Sequence, residues 1–281
     1  MTPKALIFDV DGTLAETERD GHRVAFNQAF AAAGLSWHWS IDLYGELLEI
    51  PGGKERIRYY LEHLAPDQKA DTAPSPSGSL AGRSTDTSID RAPNVPQTPE
   101  ALNPWIAQLH RDKSDRYSQI LRQGHIAPRP GVRRLIQEAR SAGVRLAIAT
   151  TSALPNALAV LETILAPEAP TWFDVIAAGD IVAAKKPNPA IYHYVLEQLQ
   201  LQPQDCCVFE DSAQGVRAAI AAGLPTIATV NGYTRHHDLS GATWVLSDLG
   251  EPDRPCTVIR GDLPAPHYVD LQRLGFKRFQ D

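Results

Sequence analysis

The stretch that decides the fold is KALIFDVDGTL, residues 4–14. Ala5 to Phe8 are apolar at every position, and they run straight into Asp9, with Asp11, Gly12 and Thr13 close behind. A short run with no polar alternation suits a central strand covered on both faces. The strand therefore ends in two carboxylates with one residue between them. Aspartates are also ordinary turn and helix-capping residues, so the pair by itself does not establish chemistry.

The same pattern returns after residue 125. VRLAIAT ends at Thr150, and FDVIAAGD follows a helix that starts near Asn156. CCVFED ends in Glu210 and Asp211, and PTIATV follows a helix stopped by Gly223. Between these runs the apolar spacing is helical, as at Val132, Leu135, Ile136 and Ala139, or at Ile191, Tyr194, Val195 and Leu199. Strand–helix alternation predicts an α/β fold, a Rossmann-like parallel sheet built from residues 1–15 and 126–250 with helices on both faces.

Residues 16–125 read as an inserted all-helical cap. Phe26, Ala29, Phe30 and Ala33 follow helical spacing and Gly34 can close that helix. Further helices are expected over 41–48 and 54–64, on either side of the IPGGK loop that carries Lys54. Helical order is expected to resume at Pro104, a first-turn proline after Asn103. Trp37 and Trp39 read as cap core rather than as a sugar platform. Residues 66–99, rich in Pro, Ser, Thr, Asp and Gly, are expected to form a flexible insertion. The tail, residues 251–281, has several prolines and no assigned role.

The bulk numbers narrow the function. The chain has 281 residues and a formal net charge of -6, which argues against nucleic-acid partners. No apolar run approaches a membrane span, and Lys4 leads directly into ALIF, leaving no room for a signal peptide. Three cysteines without a CxxC pattern suggest a reducing setting and no zinc. The expectation is a cytoplasmic monomer acting on a small molecule.

In an open α/β sheet, ligands bind beyond the carboxyl ends of the strands. Here those ends carry Asp9 and Asp11, Thr150 and Thr151, the lysines of AAKKPNP, and Glu210 and Asp211. Clustered carboxylates call for a cation, and an all-oxygen set suits Mg²⁺ and a phosphate substrate. One aspartate can attack phosphorus, and another can protonate the leaving oxygen and later deprotonate water. A lysine and a hydroxyl can hold the phosphoryl oxygens.

DVDGT, ATTS, KKPNP and FEDS resemble, in order and spacing, the four motifs of the haloacid dehalogenase superfamily. The resemblance implies a phosphatase with Asp9 as nucleophile and Asp11 as general acid/base. It implies Thr150, Thr151 and Lys186 on phosphate, with Lys185 the lesser of the lysine pair. It implies Mg²⁺ held by Asp9, the Asp11 carbonyl, Asp211 and Glu210, the last directly or through water. ETERDGHRVAFNQAF, LYGELLEIPGGKERI, LHRDKSDRY, RPGV and GYTRHHD are similar to the narrower CbbY-type phosphatases. That likeness implies a sugar phosphate, first of all xylulose-1,5-bisphosphate, with Glu16, His22, Lys54 and Lys113 facing the substrate. A second phosphate would need cationic groups in the cap, where Lys54, Arg56 and Lys113 are available.

A β-phosphoglucomutase-like isomerase would use the same core and return the phosphoryl group to the sugar. A phosphonate-cleaving enzyme would need a lysine of lowered pKa, which the surroundings of Lys54 do not suggest. Dehalogenation would not need Asp11, because a halide leaves without a proton. A catalytically silent binding module would be expected to lack Asp9, Asp11 or Asp211, and all three are present.

Overall fold

A computed structural model describes residues 2–50, 52–65, 95–96, 98–124 and 126–276. Most of the expected flexible insertion, residues 66–94 and 97, lies outside the described residues. The chain divides into two compact units, one made of Met1–Ala25 with Ser114–Asp281 and the other of Phe26–Lys113.

The larger unit holds a seven-stranded sheet. Its strands are β1 (Ala5–Phe8), β2 (Arg145–Thr150), β3 (Val175–Ala178), β4 (Cys206–Glu210), β5 (Thr226–Thr229), β6 (Trp244–Leu246) and β7 (Val258–Arg260), in the order β3-β2-β1-β4-β5-β6-β7. Only β7 is antiparallel. β1 is central and pairs with both β2 and β4, so that Phe8 stands beside Ile148 and Phe209. The strand order reverses at β1, and that switch point is where an open parallel sheet leaves a crevice at its carboxyl edge.

Unbroken apolar strands follow from cover on both faces. Leu6, Phe8, Ile148 and Phe209 join one core with Val132, Leu135 and Ile136 of α5 (Val132–Ser141) and Val160 and Leu161 of α6 (Leu154–Ile164). Ala5, Ile7, Ala149 and Val208 join the other with Ile191 and Val195 of α7 (Ala190–Leu199) and Ala218 and Ala219 of α8 (Ala213–Ala221). The tail is part of this unit. Leu263, Val269 and, on α9 (Leu271–Phe276), Leu271 and Leu274 complete the first core.

The smaller unit is helical. It holds most of α1 (Arg23–Ala32), then α2 (Ile41–Leu47), α3 (Gly53–His63) and the first part of α4 (Pro99–Arg122). Gly34, at φ 70°, closes α1 with the Leu35 N–H on the Phe30 carbonyl at 2.9 Å. Ser40 caps α2 by accepting the Leu43 N–H at 3.1 Å. Trp39 is fully buried, with ring centroids 4.6 Å from Phe26 and 4.8 Å from Phe30, and Trp37 lies 5.4 Å from Tyr60. The tryptophan pair is therefore core in this unit.

The structure corrects two expectations here. α4 begins at Pro99, not Pro104, because the Thr98 carbonyl already accepts the N–H groups of Ala101 and Leu102 at 3.2 and 2.9 Å. Pro104 falls early enough that its missing N–H leaves only the carbonyl of exposed Glu100 without a helical donor. Arg56 is not an available cation. It is buried, and its guanidinium donates to the Leu47 carbonyl, the Ile50 carbonyl and the Tyr44 hydroxyl at 2.9, 3.3 and 3.2 Å.

Candidate active site

β1 and β4 run in register, so the residues that follow Phe8 and Phe209 emerge side by side, and the Asp9 N–H donates to the Phe209 carbonyl at 3.0 Å. Asp9, Glu210 and Asp211 offer oxygens that all lie within 4.8 Å of one another, and all three residues are buried. Lys186, reaching in from the loop before α7, donates to Asp9 Oδ1 at 2.8 Å, to Glu210 Oε1 at 2.5 Å and to the Ala149 carbonyl at 2.8 Å. Lys185 turns elsewhere and pairs with Asp180 at 3.3 Å.

The three carboxylates are not equivalent. Glu210 is fully buried and its oxygens are already occupied: Oε1 also accepts the Tyr192 hydroxyl at 2.6 Å, and Oε2 accepts the Asp211 N–H at 3.2 Å and faces the Ser212 hydroxyl at 3.4 Å. A side chain at Gly215 would strike that carboxylate, which is why α8 carries glycine in its first turn. Asp211 accepts Thr13 Oγ1 at 3.2 Å and Asn231 Nδ2 at 2.7 Å. Ser212, rather than either acid, caps α8 by accepting the Gly215 N–H at 3.0 Å.

Charge follows the geometry. Burial, together with Asp9 and Glu210, holds Asp211 well above the usual carboxylate range. Burial also raises Asp9, with Lys186 pulling against it. Burial would lower Lys186, but Asp9 and Glu210 outweigh it and raise the ammonium above its ordinary value. Three buried carboxylates face one lysine, so they cannot all ionise without a further positive charge. The donor set is all oxygen, so Asp9 and Asp211 fit a hard divalent cation, with Glu210 orienting Lys186 beside them.

Asp11 stands apart. Its Oδ1 accepts Thr17 Oγ1 at 2.5 Å, meets His22 Nε2 at 2.9 Å and faces the Tyr117 hydroxyl at 3.4 Å, while Oδ2 accepts the Ser152 hydroxyl. His22 is buried and stacks on Tyr117 with centroids 3.8 Å apart. Burial works against the Asp11 carboxylate, but His22, then Ser152 and Thr17, hold it well below its usual range.

The remaining expected residues are more scattered. Thr150 is buried and its hydroxyl accepts the Ser152 N–H at 3.2 Å; Thr151 is half-buried beside it. Glu16 is half-exposed, 3.4 Å from Arg129 Nε. Lys54 is exposed in the first turn of α3, and Lys113 is buried in the helical unit with its ammonium 4.8 Å over the Phe26 ring. Sequence reasoning did not single out Thr13, Thr17, Tyr117, Arg129, Ser152, Tyr192 or Asn231. Thr13, Ser152 and Arg129 lie inside the quoted DVDGT, ATTS and RPGV motifs, Thr13 two residues past Asp11 and Ser152 one past Thr151, and could have been found by reading each motif to its ends.

Comparison with known proteins decides the relationship. Residues 3–223 match the model of the haloacid dehalogenase-like hydrolases. The chain belongs to that family. It is an enzyme, a phosphatase of the haloacid dehalogenase type. It is 44% identical to a CbbY protein of Cereibacter sphaeroides over 248 residues, 88% of this chain and 93% of that one. It is 43% identical to the CbbY protein of Rhodobacter capsulatus, over 89% of this chain and 95% of that one. A crystal structure of a CbbY variant from Rhodobacter sphaeroides, in complex with xylulose-(1,5)bisphosphate, matches with TM-score 0.69 at 43% identity, covering 88% of this chain and 94% of that one. Among the described residues, no helix is long and apolar enough to cross a membrane.

Proposed function

We propose that this family member is a Mg²⁺-dependent phosphatase of a small sugar bisphosphate, with xylulose-1,5-bisphosphate as first choice. The observation that carries the reading is the meeting of Asp9, Asp211, Glu210 and Lys186 at the carboxyl edge of β1 and β4, two residues from an Asp11 that has its own partners in Thr17, His22 and Ser152. The substrate rests on the CbbY relationship, since a CbbY variant has been crystallised with that bisphosphate.

The chemistry assigned to the residues follows. The Asp9 carboxylate attacks phosphorus, forming an aspartyl-phosphate as the P–O bond to the sugar breaks. Lys186 draws phosphoryl charge towards itself, and Thr150 and Thr151 line the cradle. A bound cation at Asp9 and Asp211, joined by the Asp11 carbonyl, would offset the carboxylate charge and that of the phosphate. Asp11 gives a proton to the leaving sugar oxygen, then takes one from the water that hydrolyses the acyl phosphate. Its present partners favour the ionised form, the form needed for the second role; the first requires it to take up a proton from solvent before the sugar oxygen leaves, with His22 given up as partner. Glu16, Lys54 and Lys113 are proposed to contact the sugar bisphosphate, and His22 to act on Asp11. A cytoplasmic setting is part of the same proposal, in keeping with three free, buried cysteines.

Phosphate release across a panel of sugar mono- and bisphosphates, with Mg²⁺ and with EDTA, tests this. The expected result is preferred, EDTA-sensitive release from xylulose-1,5-bisphosphate. Isomerised sugar phosphate without net release would replace hydrolysis by a mutase reaction; a putative β-phosphoglucomutase of Thermotoga maritima matches at 27% identity and TM-score 0.54. Lys54→Ala should impair bisphosphate turnover more than that of an aryl phosphate, and equal loss on both would remove its assigned role.

A further inference from the structure

Arg129 takes no part in the chemistry above, yet its side chain is buried and its contacts converge on the site. Nη1 donates to the Gly12 and Thr229 carbonyls, the second at 3.4 Å. Nη2 donates to the Val230 carbonyl at 2.6 Å and the Ser247 carbonyl at 2.5 Å, and Nε stands 3.4 Å from Glu16 Oε1. An arginine has five N–H donors in a rigid fork and stays charged, and here the two Nη nitrogens meet four carbonyls while Nε has an ion pair with Glu16. The four carbonyls belong to three separate places: the turn after β1, the end of β5 and the end of β6.

Two of those places carry the donors that hold Asp211. Thr13, next to Gly12, bonds Oδ1, and Asn231, next to Val230, bonds Oδ2. The two segments also touch. Gly12 sits at φ 85°, and a Cβ there would come within 2.7 Å of Asn231 Nδ2 and strike the Asp211 carboxylate. A shift of either segment would therefore be felt at Asp211.

We propose that Arg129 is a positioning residue: by tying the Gly12 and Val230 carbonyls to one guanidinium, it fixes Thr13 and Asn231 and so aims Asp211 at the cation. This rests on the reading of Asp9 and Asp211 as cation ligands. A lysine could not replace it fully, because an ammonium has three donors at one point, and four carbonyls here are reached from two separate nitrogens of a rigid fork.

The test is Mn²⁺ binding to the purified full-length chain, read by electron paramagnetic resonance without substrate. Arg129→Lys and Asn231→Ala should each raise the Mn²⁺ Kd about tenfold, as loss of an outer-shell partner does. Val160→Ala, a cavity in the core between α6 and the sheet, lowers stability as well but should bind Mn²⁺ like the wild type. In turnover, both site variants should need more Mg²⁺ for half-maximal rate and recover most of kcat at saturation. Wild-type affinity in folded Arg129→Lys would overturn the role of Arg129, and equal weakening by Val160→Ala would reduce it to general stability. Absence of Mn²⁺ binding by the wild type would instead defeat the cation reading, and the inference with it. If Arg129→Lys does not fold, hydrogen exchange on the wild type decides. Mg²⁺ should protect residues 12–15, 127–131 and 229–231 together, and protection confined to the acidic residues would overturn the relay.

Discussion

Around Asp9 the neighbours are charges: Lys186 on one oxygen, and Glu210 and Asp211 within ligand distance. Around Asp11, two residues along, they are hydroxyls and an imidazole, from Thr17, Ser152, Tyr117 and His22. Burial disfavours ionisation at both aspartates, and the partners decide the outcome. Asp9 is held up because nearby carboxylates oppose part of what Lys186 offers; Asp11 is held down first by charge interaction with His22 and then by hydrogen bonds from His22, Ser152 and Thr17. These directions are opposite to the roles proposed, since a nucleophile must be ionised and a leaving-group acid protonated; a cation on Asp9 and the loss of His22 as partner to Asp11 would bring each group to the form its role needs.

The strongest way to break this contrast is to replace the nucleophile. Asp9→Asn should reduce Mg²⁺-dependent phosphate release by at least ~10³-fold, since no covalent step remains, while circular dichroism stays native. Release at the wild-type rate would end the assignment. Asp11→Ala should cost about 10²–10⁴-fold, the usual worth of a positioned acid or base. The loss should be smaller for an aryl phosphate, whose leaving group needs less protonation; identical losses on sugar and aryl substrates would mean that Asp11 does not protonate the leaving oxygen.

The sheet and the charged site were legible because each acid or lysine follows a motif at a strand end, where chain direction alone says which edge it reaches. The Asp11 surroundings were not. Tyr117 lies 106 residues away on α4, and nothing in its helical spacing distinguishes a core tyrosine from one facing a carboxylate. Arg56 misled for a related reason. Its charge is visible in the sequence, but not the two carbonyls and one hydroxyl that consume it. The core role of Leu263, Val269 and Leu274 was hidden because they are spread among prolines with no period to read. Pattern reports the local backbone, whereas these residues depend on which distant group arrives opposite them.

A finer test concerns Tyr192, fully buried with its hydroxyl on Glu210. Tyr192→Phe removes one charge-assisted donor and leaves the ring, at a cost of about 1.5–3 kcal/mol if Glu210 stays ionised without it. Glu210 would then lean more heavily on Lys186, and the lysine would be less available to phosphate. The expected result is a several-fold loss of kcat with little change in the secondary structure. An unchanged kcat would show that Lys186 and the backbone suffice to fix Glu210.

The smallest effect expected is thermal, and it separates the two aspartate environments by sign. Asp211 and Asp9 ionise near 3.8 when unfolded but higher in the folded, cation-free chain. Between those values the unfolded chain gives up the proton first, so their contribution falls as pH rises. Asp11 does the reverse. Its contribution is complete above its ordinary value of 3.8 and is lost only as pH drops below it, so it is flat from about pH 5.5 to 8. A raw slope sums every group in the chain, which makes a difference between variants necessary. Asp211→Asn keeps the shape and removes one titration. In EDTA its Tm should exceed the wild-type value by about 2–5 °C at pH 8, and the excess should shrink as pH falls towards the unfolded value of 3.8. Saturating Mg²⁺ should cancel or reverse the gap at pH 8, because only the wild type keeps both carboxylates for the cation. A gap that stayed constant with pH, or that Mg²⁺ left untouched, would mean that Asp211 is ionised and satisfied without a cation, and the contrast with Asp11 would disappear.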